Sequence, residues 1–269
     1  KTNPGALNPE IVEAAGPGDP DLGIVLARDA KGPFAALTVF SLHADTTGGT
    51  EFSADYPRAL EAALREGLST SLISCFGAGP CGDVNHVDVT RKERPKPDEI
   101  GGRLARALLD AAPRLSPPGL PSLAVANARI AVPLQRYSLE QVDHARQNAD
   151  KVGTKEIPQL DQVKICSILH LQELPAVLPL EVQAFRLGAE LAIVTLPGEV
   201  FVELGLAIKR LSPFRTTLVV ELANDNPAYL PTRRAFAEGG YEVVNSRIEP
   251  GGGERLVDAA VRLLQGLKP

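Results

Sequence analysis

Four short polar segments, each directly following an apolar run, hold the side chains best suited to chemistry in this sequence. They are residues 41–49, 81–86, 196–199 and 224–232, and they contain, in that order, His43 and Asp45, then Asp83, Asn85 and His86, then Glu199, then Tyr229. Strand ends hold side chains rigidly at the rim of a sheet, which suits metal ligands and acid–base groups. The pattern therefore predicts a metal-centred hydrolytic site.

Each of these residues also has an ordinary structural interpretation. The neutral imidazole of His43 is a good zinc ligand whose tautomer Asp45 could fix, but a lone histidine is more often a hydrogen-bonded surface or core group. Glu199 precedes a predicted helix, where an acid is favoured by the helix dipole. Asp83 could belong to a simple turn. Tyr229 lies between prolines, which favours a rigid functional loop over a strand.

The elements that must position these residues alternate between strands and helices, which predicts the α/β class with a mixed sheet flanked by helices and the metal site at strand ends. Strands are predicted at 23–28, 34–43, 70–76, 123–134, 178–187, 190–196 and 216–222, and helices at 55–67, 98–112, 138–152, 200–211 and 253–266. Leu37, Ile73, Val194 and Val219 are expected in one sheet, with the site at one edge of it.

The organisation along the chain is simple. Residues 1–20 contain four prolines and three glycines and are predicted to form an extended lead-in, while residues 21–269 form an α/β catalytic domain. The proline-rich stretch 113–121 is a possible seam within that domain. The sequence contains no methionine, so we expect an upstream segment to be missing from it.

Composition excludes some partners. With a net charge of −5 and scattered basic residues, the 269-residue chain offers no electrostatic basis for binding nucleic acid. No apolar stretch approaches the roughly 20 residues that a membrane-spanning helix needs. The sequence does not determine the oligomeric state or the compartment.

Together the four segments resemble the neutral/alkaline (non-lysosomal) ceramidase family, specifically its N-terminal catalytic domain, as a divergent bacterial-type member. The resemblance is carried by Ser41-Leu-His43, Leu196-Pro-Gly-Glu199, the tyrosine-and-threonine loop at 224–232 and the downstream Tyr241-Glu242. In that family the histidine, the glutamate and the loop tyrosine bind one zinc ion. The resemblance therefore implies Zn²⁺ ligands at His43, Glu199 and Tyr229, and family members are often secreted or periplasmic.

Two departures from the family pattern limit what the resemblance implies. The family's Gly-Asp-Val-Ser-Pro-Asn segment supplies a serine implicated in attack on the amide, and this chain has Asn85 at the serine position. The family's His-rich segment, which supplies another zinc ligand, also has no match and would belong upstream. We therefore expect a zinc-dependent hydrolase that uses metal-activated water. The resemblance implies that the bond it cleaves is an amide (C–N) bond. Asp83 or His86 would act as general base, Asn85 would donate to an oxyanion, and Tyr229 would contribute to both ligation and catalysis.

Two alternatives remain open at this level. The chain could be a non-catalytic binding or accessory protein on a ceramidase-like scaffold, although a binding relic would not need His43, Glu199 and Tyr229. Alternatively, Asp45, Asp83 and His86 could bind a different or second metal in an esterase or phosphoesterase. The expected substrate is a small-molecule or lipid-like amide; ceramide itself is disfavoured because only 4% of the residues are aromatic, which leaves little material for a lipid groove.

Overall fold

The computed structural model describes residues 5–120 and 122–269. Residues 1–4 of the predicted lead-in and Pro121 at the end of the predicted seam lie outside the described residues. The strands are β1 (Gly23–Asp29), β2 (Gly32–Phe40), β3 (Ile73–Ala78), β4 (Leu123–Pro133), β5 (Val177–Leu187), β6 (Leu191–Thr195), β7 (Glu199–Val200), β8 (Thr216–Val220) and β9 (Tyr229–Leu230). The helices are α1 (Asp55–Gly67), α2 (Pro97–Ala111), α3 (Leu139–Gln147), α4 (Gln159–Glu173), α5 (Val202–Leu211), α6 (Arg233–Glu238), α7 (Tyr241–Asn245) and α8 (Gly252–Leu267).

The first half of the chain forms a three-stranded sheet, here called sheet 1, in the order β1-β2-β3. β1 and β2 pair antiparallel, whereas β2 and β3 pair parallel because α1 crosses between them. One face of sheet 1 is covered by α1 and α2, which bury Tyr56, Leu60 and Leu104 against it. The i, i+4 spacing of Leu60 and Leu64 puts both side chains on the buried stripe of α1.

The second half forms a four-stranded sheet, sheet 2, in the order β4-β5-β6-β8. β4, β5 and β6 are antiparallel neighbours, and β8 pairs parallel with β6 after the α5 crossover. The turn between β5 and β6 contains Gly188 with φ +66°, as the predicted hairpin requires. One face of sheet 2 is covered by α5 and α8.

The uncovered faces of the two sheets pack against each other, which gives four layers in the order helix, sheet, sheet, helix. Val39 of β2 meets Leu191 of β6 and Leu218 of β8 in this central layer. The α/β class and the flanking helices are therefore confirmed, but the expectation that Leu37, Ile73, Val194 and Val219 share one sheet is wrong. An apolar strand buried on both faces occurs both in a sheet between helices and in a sheet-on-sheet core, so β2 alone could not distinguish them.

The two sheets also join at one end through the backbone. The N–H of Glu221, directly after β8, donates to the carbonyl of Ala78 at the end of β3 at 2.8 Å. The N–H of Gly79 donates to the carbonyl of Phe40 at the end of β2 at 2.9 Å. The ends of β2, β3 and β8 therefore meet, and the candidate site lies at this junction rather than at one edge of a single sheet.

A helical excursion, α3 and α4, is inserted between β4 and β5. α3 begins with the predicted capping box, since Ser138 Oγ accepts from Gln141 N at 3.2 Å and Gln141 Oε1 accepts from Ser138 N at 2.9 Å. Sequence reasoning missed α4, because its apolar residues occur on several sides of the helix instead of forming one stripe. Ile165 and Ile168 of α4 pack on Val142 of α3 in a separate small core.

The lead-in and the predicted seam are connecting segments. Residues 5–20, the described part of the lead-in, contain no helix or strand, and the buried Asp19 accepts an ion-paired hydrogen bond from Lys209 of α5 at 2.6 Å. The described part of the seam, residues 113–120, connects the helical layer of sheet 1 to β4. None of the helices in the described part of the chain has the length and apolar character needed to cross a membrane.

Candidate active site

Backbone hydrogen bonds bring the predicted polar segments together at the junction of the sheets. His43, after β2, donates its N–H to the carbonyl of Val84 at 3.4 Å. Gly82, after β3, donates its N–H to the carbonyl of Val200 in β7 at 2.9 Å. Three segments that are far apart in sequence thus lie directly beside one another.

Glu199 and Tyr229 are neighbours in a two-stranded parallel sheet. β7 and β9 pair with Glu199 opposite Tyr229, and Glu199 N donates to Ala228 O at 3.1 Å. The preceding Gly198 has φ +70°, and a Cβ there would lie 2.6 Å from Ala228 O. The glycine of the Leu-Pro-Gly-Glu segment is therefore required for the close approach of β9, which places the two side chains side by side.

His43 completes a cluster with these two residues. Its Nε2 lies 3.3 Å from Glu199 Oε2, and both side chains are mostly buried, with 24% and 22% of their surfaces exposed. The hydrogen bond to Glu199 raises the pKa of His43; burial lowers it, and the nearby Glu221 and Asp45 raise it further. Tyr229 also shares a hydrogen bond with Glu199, and burial followed by the charge of Glu199 raises the pKa of its phenol. The structure thus brings the three predicted ligands together.

The donor set is chemically suited to zinc. An imidazole nitrogen and a carboxylate oxygen are common zinc ligands, and catalytic zinc sites have three protein ligands and one open position. The phenol oxygen of Tyr229 would supply the third ligand. The buried Nδ1 of His43 has no hydrogen-bond partner within the described residues, so the protein alone leaves this imidazole incompletely satisfied. Within those same residues, no group of three or more His, Cys, Asp or Glu side chains is arranged to hold a metal ion, so Tyr229 would have to serve as the third donor.

The turn at 81–86 lies directly against the backbone of Glu199. A Cβ at Gly82 would lie 2.6 Å from Glu199 O, so only glycine permits this contact. Asp83 Oδ1 accepts the N–H of Val202 at the start of α5 at 2.7 Å. Partial desolvation raises the pKa of Asp83 to about 6, although this hydrogen bond acts in the opposite direction. The side chain still contacts solvent. Asp83 is thereby turned towards α5.

His86 and Asp45 form a second pair near this turn. His86 Nδ1 lies 2.8 Å from Asp45 Oδ1, and only 4% of the His86 side chain is exposed, against 48% for Asp45. A carboxylate only accepts hydrogen bonds, so this contact favours a proton on Nδ1 and leaves Nε2 able to accept one. Asn85 is exposed, and its Oδ1 accepts from Val87 N at 2.8 Å, which directs only the amide NH₂ outwards.

Sequence reasoning missed the buried acid Glu221. It is 3% exposed, and burial raises its pKa to about 7, whereas hydrogen bonds from Cys81 and Val200 lower it. It directly follows the apolar strand β8, which is the same strand-end signal that drew attention to His43. The strand-end pattern therefore includes Glu221, but no local feature of the sequence shows that residue 221 lies next to residues 81 and 200.

A second missed group positions the segment after His43. Asp55 accepts hydrogen bonds from the N–H groups of Thr46 and Thr47 at 2.9 Å each and from the hydroxyl of Thr46 at 2.7 Å. Burial alone would raise the pKa of Asp55, but these hydrogen bonds outweigh it and lower the pKa. The hydroxyl of Tyr56 donates to Leu42 O at 2.6 Å. The start of α1 thus holds the backbone on both sides of His43.

The fold of this chain is similar to that of two solved ceramidases. A structure described as neutral ceramidase from Pseudomonas aeruginosa aligns with a TM-score of 0.70 and 19% identity, over 97% of this chain and 49% of that one. A structure described as ceramidase complexed with C2 aligns with a TM-score of 0.68 and 17% identity, over 97% of this chain and 50% of that one. The chain therefore has a neutral ceramidase-like fold and spans about half the length of these proteins. No protein-family model matches the sequence, and no curated protein matches it either.

Proposed function

We propose that this protein is a zinc-dependent hydrolase that cleaves an amide bond. The observation that carries the proposal is the convergence of His43, Glu199 and Tyr229, with 3.3 Å between His43 Nε2 and Glu199 Oε2. The likeness of the fold to neutral ceramidases supports an amide as the scissile group and a small-molecule or lipid-like compound as the substrate.

His43, Glu199 and Tyr229 would hold the zinc ion. The close approach of His43 and Glu199 in a mostly buried position supports their assignment as ligands. Zinc in such a site acts as a Lewis acid and makes water a nucleophile near neutral pH. This source of the nucleophile is consistent with Asn85 at the position where the family has serine.

His86 is the better of the two candidate general bases. Asp45 contacts Nδ1 and orients the ring, which leaves Nε2 available to act as the general base. Asp83 remains the second candidate, but its Oδ1 is already occupied by the N–H of Val202. Asn85 would use its free NH₂ group to donate to the oxyanion that develops on the amide carbonyl.

The experiment that tests the proposal measures zinc content and hydrolysis of a panel of amides and esters. We expect one zinc ion per chain, loss of hydrolysis on chelation, and full activity after treatment with a serine-directed reagent. His86→Ala should lower turnover by about 10²–10⁴-fold without changing zinc content. His144→Ala is the matched control, because His144 lies in α3 and takes no part in this cluster.

Asn85→Ser separates a water-based mechanism from a degenerate serine-type enzyme. We expect this variant to show no gain in amidase activity, whereas a gain would favour the serine mechanism. Zinc-loaded protein that hydrolyses none of the compounds would instead indicate a non-catalytic binding protein, and activity on esters alone would indicate a metal-dependent esterase.

A further inference from the structure

A buried carboxylate, Glu221, bridges the two segments that flank the candidate site and takes no part in the roles assigned above. Its Oε2 accepts the N–H of Val200 at 2.6 Å, and its Oε1 accepts the thiol of Cys81 at 3.0 Å. Its own backbone N–H donates to Ala78 O at 2.8 Å. One side chain and its amide therefore connect the ends of β3, β7 and β8.

The two groups bound by this carboxylate adjoin the site on either side. Val200 directly follows Glu199, and Cys81 opens the turn that contains Asn85 and His86. The same two segments touch again where Gly82 N donates to Val200 O at 2.9 Å. Glu221 thus sets the spacing between the strand that holds Glu199 and the turn that holds His86.

Packing in the core would not by itself require a carboxylate at position 221. Burying a carboxyl group is unfavourable unless its oxygens are hydrogen-bonded, and Glu221 is 3% exposed. Two oxygens in one plane can accept from two different segments at once, which no apolar side chain can do. Loss of the carboxylate would leave the buried N–H of Val200 without its partner.

We propose that Glu221 is the positioning residue of the site, which fixes β7 relative to the 81–86 turn through its hydrogen bonds to Val200 and Cys81. It acts through Glu199 and the turn and does not itself touch the substrate. The test by zinc affinity rests on the proposed function, because it assumes that the site binds zinc. The test by hydrogen exchange of backbone amides in the metal-free protein does not depend on that function.

The test compares three variants. Glu221→Leu fills a similar volume without an acceptor. Glu221→Gln keeps an oxygen for Val200 N–H and can turn its NH₂ towards the Cys81 sulfur. Val182→Ala, in the core of sheet 2 and 0% exposed, is the control for lost stability alone. For each variant we would measure the melting temperature, zinc affinity by chelator competition, and hydrogen exchange of residues 81–86 and 196–202 in the metal-free protein.

We expect Glu221→Leu to weaken zinc binding by about 10–100-fold, the range typical for residues that orient metal ligands. Exchange in the two segments should rise about tenfold or more. Glu221→Gln should restore both properties largely, and Val182→Ala should change neither despite a lower melting temperature. Should Glu221→Leu fail to fold, Cys81→Ala removes one of the two side-chain bonds and should raise exchange in residues 81–86.

The proposal is overturned if Glu221→Leu and Val182→Ala behave alike, or if exchange in both segments stays unchanged. A wild-type protein that binds no zinc would refute the proposed function only. In that case the exchange data on the metal-free variants would still decide whether Glu221 positions the two segments.

Discussion

At the scale of single residues, the protonation state of His43 decides whether its imidazole can bind a metal ion. Glu199 is its hydrogen-bond partner and the main cause of its raised pKa, and the charges of Glu221 and Asp45 act in the same direction. A protonated imidazole cannot bind a metal, so the acidic surroundings would make a proton compete with the proposed zinc ion for His43.

The His43–Glu199 pair predicts a pH dependence of stability in the metal-free protein. Because the folded-state pKa of His43 is raised, its contribution is fully present below the unfolded value of about 6.5 and is lost as the pH rises through the folded value. The unfolding free energy of wild type relative to Glu199→Gln should therefore be largest below the unfolded pKa and should fall as the pH rises through the folded-state pKa of His43. Denaturant unfolding at each pH measures this difference; an increase with pH would contradict the assignment.

Tyr229 can be tested separately from packing. Tyr229→Phe keeps the edge-to-face contact with Tyr241, whose ring centroid lies 5.9 Å away, and removes only the hydroxyl. We expect zinc affinity to drop at least about 10–100-fold, the loss typical for outer-shell partners of metal ligands, with little change in melting temperature. Tyr137→Phe, which removes a phenol bonded only weakly to Gln135 at 3.4 Å, is the control and should leave zinc affinity unchanged.

At the scale of elements, the site depends on backbone contacts that only glycine allows. The 81–86 turn packs on β7 through Gly82, and β7 packs on β9 through Gly198. These contacts bring the short strands so close together that a single added methyl group must displace backbone. The position of Glu199 is therefore determined by the 81–86 turn and by β9, and neither has a catalytic side chain at the point of contact.

Gly82→Ala tests this element. A Cβ 2.6 Å from Glu199 O forces the turn and β7 apart, so we expect a loss of about 1–3 kcal/mol in unfolding free energy together with weaker zinc binding. Gly102→Ala is the matched control, because a Cβ in this part of α2 meets nothing within 4 Å. It should stabilise the protein by up to about 1 kcal/mol through helix propensity. Equal behaviour of the two variants would show that the contact at Gly82 is unimportant.

At the scale of the whole molecule, the site combines groups from both sheets. His43 and the 81–86 turn extend from sheet 1, whereas Glu199 and Glu221 follow strands of sheet 2. Their relative position therefore depends on how the two sheets pack through Val39, Leu191 and Leu218.

Two core substitutions separate sheet packing from general stability. Leu218→Ala opens a cavity between the sheets, and Leu60→Ala opens one between α1 and sheet 1. Both should lower the unfolding free energy by about 2–5 kcal/mol. Only Leu218→Ala should also weaken zinc binding measured under conditions where both variants are folded. A similar loss of zinc affinity in Leu60→Ala would mean that the sheet interface has no special role.

Many features of this protein can be predicted from local sequence. The apolar period of α1, the capping box at Ser138, the hairpin at Gly188 and the polar residues at strand ends depend on neighbours within a few positions, so they were predictable. The strand-end pattern selected the four polar segments, and the resemblance to the ceramidase family selected His43, Glu199 and Tyr229 within them. The structure brings these three residues together; their role as zinc ligands stays a prediction. α4 was missed because its apolar residues face several neighbours.

Other features were decided only by tertiary structure. Apolar strands indicate burial but not what covers them, so the division into two stacked sheets depended on side-chain packing across the molecule. Glu221 became recognisable only because its partners, at residues 81 and 200, are distant in sequence. Local patterns determine which residues stand at strand ends, whereas long-range packing and close glycine contacts determine which of those ends meet.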